Sequence, residues 1–182
     1  MIRPDTLYQF SEILRQVRVL VPGSHPVIGG GALRDLYHGR PIKDVDVFLR
    51  AEDHPAPLSH PGISLMIPPS ISGYALRSDM HGVWNVREPL CGFDVQLIVA
   101  DFGDMFDLAE TFDLGLSRIT YEGGQYVHMT EDFLRDSLNQ VFRILRSDDD
   151  GQTARSERRI ERLLLKYPEF TNVGFDPYRK AA

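Results

Sequence analysis

The feature that most restricts this chain is a glycine triplet, Gly29-Gly30-Gly31, followed about a dozen residues later by Asp44-Val45-Asp46. Pro26-Val27-Ile28 reads as a short buried strand running into the triplet, and Ala32 to Tyr37 as a short helix stopped at Gly39. Missing side chains at such a junction let backbone N–H groups and a helix start approach a phosphate. Asp44 to Leu49 alternates with period two, a strand pattern that projects Asp44 and Asp46 from one face. Their Cα atoms then stand roughly 6.5–7 Å apart, close enough to converge on cations, and hard oxygen ligands suit Mg²⁺. Taken alone, an Asp-x-Asp is also a solvent-facing accident or the metal motif of a nucleotide-sugar glycosyltransferase, and a glycine triplet is also a tight turn. A third acid, Asp94, stands alone in the apolar strand Phe93 to Val99, where a carboxylate is costly unless a cation or donor compensates it. Three acids on adjacent strands beside a glycine turn suit two-metal phosphoryl or nucleotidyl transfer, and the glycosyltransferase reading explains neither the turn nor Asp94.

Composition sets the frame for this site. The 182 residues, 42% hydrophobic and 25% charged, suffice for one self-folding domain, and the single cysteine, Cys91, excludes an internal disulfide and a multi-thiolate zinc site. A reducing cytoplasm is expected, and with no signal-like start and no run of about 18 apolar residues, no membrane. A net charge of −6 argues against holding duplex nucleic acid by charge alone. The charge is uneven: residues 1–150 carry 13 basic and 22 acidic side chains, whereas 151–182 carry 7 and 4.

The remaining pattern predicts an amphipathic helix over 5–20, with Leu7, Phe10, Ile13, Leu14 and Val17 inward. Prolines between 51 and 70 predict a long surface loop. Strands are expected at 83–86 and 93–99, paired with each other, and a helix at 101–112 with its acids in water and Phe102, Met105, Phe106, Ala109 and Phe112 inward. A hairpin around Glu122-Gly123-Gly124, a capped helical turn from Thr130, a strand at 140–145, a polar loop at 147–151 and a helix over 153–167 follow. The six histidines show no metal-ligand spacing.

The run from Ile28 to Val47, with Phe93-Asp94-Val95, closely resembles the head-domain signature of the poly(A) polymerase and CCA-adding enzymes, of the DNA polymerase β-like nucleotidyltransferase superfamily. The resemblance implies an α+β fold: a small, mixed, mostly antiparallel sheet flanked by helices, here a head domain over 1–150 and a neck-like C-terminal helix and tail over 151–182. It implies transfer of NMP from an NTP to a hydroxyl, with an RNA 3′ end as acceptor and pyrophosphate as product. A protein or small-molecule acceptor, or a non-catalytic nucleotide-binding antitoxin or regulator, is the alternative. Asp44, Asp46 and Asp94 would hold two Mg²⁺ ions, Asp94 at the acceptor hydroxyl. Gly30 and Gly31 would contact the β- and γ-phosphates; Arg34 would reach the triphosphate or pair with Asp35 or Asp46.

Later blocks are less alike. Thr111 to Tyr121 keeps the ribose-holding Asp of an Arg-Arg-Asp-Phe-Thr segment as Asp113 but lacks both arginines, and Asp136 to Arg143 resembles an Asp-Leu-x-Asn-x-x-Leu-Arg strand. In the base-reading Glu-Asp-x-x-Arg helix, Ser156 stands where the Asp would be; a rival alignment at 143–146 also lacks it. CCA addition is therefore not expected. Arg155, Arg158, Arg159 and Arg162 form a basic side of the last helix, either a wet face or a contact to nucleotide or RNA, with Arg159 and Arg162 the candidates for the nucleotide.

Overall fold

The computed structural model describes residues 4–53, 58–67, 79–147 and 150–175. The chain starts with α1 (Pro4–Leu20), which buries Phe10, Ile13, Leu14 and Val17 completely, as the spacing predicts. Then come β1 (Val27–Gly29), α2 (Gly31–Tyr37), β2 (Asp44–Arg50), β3 (Ile63–Ile67), β4 (Met80–Val86) and β5 (Asp94–Ala100). The second half holds α3 (Met105–Thr111), β6 (Ile119–Tyr121), β7 (His128–Met129), α4 (Glu131–Asn139), β8 (Val141–Ile144), α5 (Asp150–Lys166) and β9 (Thr171–Phe175).

Seven strands form one sheet in the order β3-β4-β5-β2-β1-β6-β7, antiparallel at every junction except β2 with β5. This is the α+β, mostly antiparallel architecture expected. Period-two alternation splits the strands between two apolar layers. Val45, Val47, Leu49, Val95, Leu97 and Val99 join α1 and α2 in the larger core, while Phe48, Val83 and Ile98 pack on the other face with Leu108 and Phe112. Asp104 caps α3 by accepting from the N–H groups of Phe106 and Asp107, and Thr130 caps α4 through the Phe133 N–H. Beyond 150, Ile160, Tyr167 and Phe170 enter the larger core, and β9 runs parallel to β8 in a separate two-stranded sheet.

Three local readings change. The segment 51–70 holds β3, paired antiparallel with β4 from Ile63↔Val86, although residues 54–57 and 68–70 of the expected loop lie outside the described residues. Phe106, expected inward, is 52% exposed, its ring against that of His128, because α3 starts only at Met105 and its short buried face is set by Leu108 and Ala109. The strand β9 follows a helix the sequence ends at 167 and exposes nearly every side chain, so it carries no alternation to read. Among the described residues no helix is long and apolar enough to cross a membrane.

Candidate active site

The glycine triplet links β1 to α2. A Cβ on Gly29 would lie 2.8 Å from the Phe112 ring, so only glycine lets this ring seat under the turn. Gly30 has φ +73°, a backbone that side chains disfavour; its N–H donates to the Ile119 carbonyl at 3.0 Å and its carbonyl accepts from Arg34 N–H. The Gly30 amide is thus committed to β6, and this residue offers a close approach rather than a free donor.

The turn opens beside β2. Alternation puts Asp44, Asp46 and Phe48 on one face, and the parallel register sets Asp44 directly opposite Asp94 and Asp46 opposite Gln96. Neighbouring strands lie about 4.8 Å apart, so the paired positions of Asp44 and Asp94 bring two carboxylates to one strand end, with Asp46 one step inward. Asp94 is exposed, while Asp44 is half-buried and pairs with Lys43 Nζ at 3.3 Å. Burial, with the charge of Asp44 added, pushes the Asp46 carboxyl up to about 6. Among the described residues no three His, Cys, Asp or Glu side chains are grouped as ligands to one ion.

A cavity of about 210 Å³ begins at Asp46 and is walled by Gly29, Gly30, Gly31 and Ser117 on one side and by α5 on the other. Its floor is apolar, built from Phe48, Ile98 and Phe112. The α5 wall presents Gln152, Arg155, Ser156, Arg159 and Leu163, which recur at helical spacing along one side. Two ties dock α5. Asp113 accepts from Ser156 Oγ at 2.5 Å and from Arg159 Nη1 at 2.7 Å, so both its oxygens are engaged. Buried Asp35 accepts from Lys166 Nζ and Tyr167 Oη, each at 2.5 Å, and from Arg34. Behind the Ser117 wall, fully buried Asp136 accepts from Arg143 Nε and crowds Gly115 so closely that a Cβ there would sit 1.9 Å from its Oδ2.

The structure thus brings Asp46, Gly30, Gly31, Arg34, Asp113 and Arg159 around one cavity, with Asp44 and Asp94 at the strand end beside it. Arg34, which had two readings, pairs with Asp35 while lining the cavity, and Asp35 also accepts from Tyr167. Arg162 is exposed on α5 and is not part of the cavity wall. Gln152 and Arg155 were not singled out for the nucleotide. They lie where the sequence passes from a polar loop to a helix, and the i, i+3 spacing of Gln152 and Arg155 was the available signal. Ser156, aligned with the base-reading position, instead holds Asp113.

No family model matches the chain, and no curated protein sequence matches it. Solved structures do. The chain aligns over 97% of its length with a Bacillus stearothermophilus CCA-adding enzyme in complex with CTP, covering 42% of that chain, at TM-score 0.59 and 17% identity. A tRNA-processing enzyme in an apo form matches over 94% of this chain and 45% of its own, at TM-score 0.60 and 15% identity. A Thermotoga maritima CCA-adding enzyme complexed with tRNA matches over 94% and 40%, at TM-score 0.56 and 14% identity. The chain spans less than half the length of these proteins. At such low identity the likeness is one of fold, and this chain has the fold of part of these CCA-adding and tRNA-processing enzymes.

Proposed function

We propose that the chain is an Mg²⁺-dependent nucleotidyltransferase that moves NMP from an NTP to a hydroxyl of an RNA 3′ end and releases pyrophosphate. The observation that carries this reading is the register of Asp44 with Asp94, one step from Asp46, at the mouth of a cavity bounded by the glycine turn. Hard carboxylates suit a divalent metal, and the burial and like charge that push the Asp46 carboxyl up to about 6 are what a cation would offset; the three come from two paired strands and are not grouped about one point among the described residues. Two Mg²⁺ ions held by Asp44, Asp46 and Asp94 would neutralise the triphosphate and lower the pKa of the acceptor hydroxyl.

The chain's own residues position the reactants. The turn at Gly30 and Gly31 admits phosphates close to the backbone, and Arg34 and Arg159 supply positive charge on the cavity wall. The apolar floor of Phe48, Ile98 and Phe112 suits a base, and Gln152 and Arg155 present amide and guanidinium groups to its edge. Asp113 with Ser156 and Arg159 keeps α5 at its distance from the sheet.

A second reading, a non-catalytic nucleotide-binding domain, is favoured by the same Asp113: with both oxygens engaged, it offers no free carboxylate to a ribose. Four separately α-labelled NTPs offered with Mg²⁺ to total RNA, total protein and a metabolite extract separate the two. Label in RNA 3′ termini with stoichiometric pyrophosphate supports transfer. Tight Mg²⁺-dependent NTP binding with no label in any fraction supports the binding domain.

A further inference from the structure

Asn85 and Gln96 stand on the same sheet face as the three carboxylates, and the nucleotide cavity uses neither. On β5, Gln96 alternates with Asp94 onto that face; on β4, Asn85 shares its side with Val83, which packs with Phe48 and Ile98 on the cavity face. The register aligns Asp46 with Gln96, Gln96 with Asn85, and Asn85 with Ser64, one residue from each of four adjacent strands. Across three inter-strand gaps this polar row is about 14 Å long. Ser64, Asn85 and Gln96 are half-buried, so the row is partly open to solvent, and among the described residues neither amide has a hydrogen-bond partner. The glycine turn lies on the β1 side of Asp46, whereas the row leaves Asp46 on the opposite side, toward β3.

We propose that Asn85 and Gln96 bind the terminal ribose of the acceptor RNA, a role that rests on the nucleotidyl-transfer reading. Gln96 is two residues from Asp94 on one strand, about 7 Å, so a sugar whose 3′-hydroxyl reaches the carboxylates has its other polar atoms over the amides. An amide both donates and accepts, as a vicinal diol does. The row contains no cation, and Arg87 is exposed beyond the end of β4, so the row suits a neutral sugar and not a phosphate.

The test uses the full chain, Mg²⁺, labelled NTP and a twelve-nucleotide RNA ending in ribose or in 2′-deoxyribose. Asn85→Ala and Gln96→Ala each raise the KM for the ribose-ended RNA about tenfold, the loss of one to two hydrogen bonds, and more than they lower kcat. The affinity for Mg²⁺·NTP measured without acceptor stays at the parent value. The parent discriminates against the deoxy end, and the double variant does not. Asn85→Leu and Gln96→Met, which keep side-chain size without polar atoms or charge, give the same result if the alanine variants fold poorly. An unchanged KM, or discrimination that persists in the double variant, overturns this role while leaving nucleotidyl transfer in place. Label that enters protein instead of RNA also overturns it; a parent that transfers to no acceptor overturns both.

Discussion

Gly29 and Asp46 show how single residues are bound to this site by packing and by charge. At Gly29 the constraint is steric: Phe112 fills the space of a side chain, and Phe48 crowds the same point at 3.3 Å. Gly29→Ala is expected to lower stability by about 1–3 kcal/mol, because both rings belong to the apolar layer beneath the cavity and have little room to give. A urea melt measures the change. At Asp46 the constraint is electrostatic. Its pKa in the folded chain is raised to about 6 from an ordinary 3.8, so between those values the folded state holds a proton that the unfolded state has lost. Stability contributed by this proton is present below pH 4 and lost as pH rises through 6. At pH 7.5 the free protein therefore carries an unfavourable charge, and Asp46→Asn should raise its Tm by about 2–6 °C while weakening Mg²⁺·NTP binding. The gain should shrink as pH falls below 6 and vanish only below the unfolded value of 3.8, where the carboxyl is protonated in both states, and thermal melts across that range check this.

At the level of elements, α5 is the part that turns an open sheet into a cavity. Its dock depends on Asp113 as much as on Ile160 and Tyr167, since Ser156 is fully buried and its hydroxyl is one of two donors to that carboxylate. Ser156→Ala leaves a buried oxygen of Asp113 short of a partner and should cost about 1–3 kcal/mol. Arg159→Ala, with a guanidinium 39% exposed, should cost less stability but more NTP affinity; melts and NTP titrations on the two variants separate these effects. The strands that carry Asp44, Asp46 and Asp94 were legible in the sequence for a physical reason. Strands β2 and β5 alternate over their first residues and then run buried, so aspartates at 44, 46 and 94 stand out against an otherwise apolar strand. The α5 wall was less legible: Gln152 falls between the expected loop and the expected helix, and Ser156, a buried polar residue within that helix, has its partner Asp113 43 residues away. Prolines hid β3, and β9 is a two-sided exposed strand whose pairing with β8 depends on the fold alone.

For the whole molecule, the excess of acids over bases acquires a partial explanation. Of the 26 acidic residues, Asp44 and Asp94 face each other in register at one strand end with Asp46 two residues further along its strand, like charges that the proposed cations would offset. Asp35, Asp113 and Asp136 are instead buried struts, each engaged by arginine, lysine, tyrosine or serine. The chain thus divides these aspartates between the strand end proposed to hold the metal and the ties that hold the walls of the cavity. Mg²⁺·NTP should stabilise the molecule as a unit: at a hundredfold excess over Kd, about 2.7 kcal/mol, or a Tm shift of about 5–10 °C. The most direct measurement is transfer of NMP from α-labelled NTP to RNA by the parent and by Asp44→Ala and Asp94→Ala chains with parent-like circular dichroism. Transfer and pyrophosphate release should fall a hundredfold or more, roughly, in each variant. Folded variants that transfer label as fast as the parent would show that the three carboxylates do not form the active site.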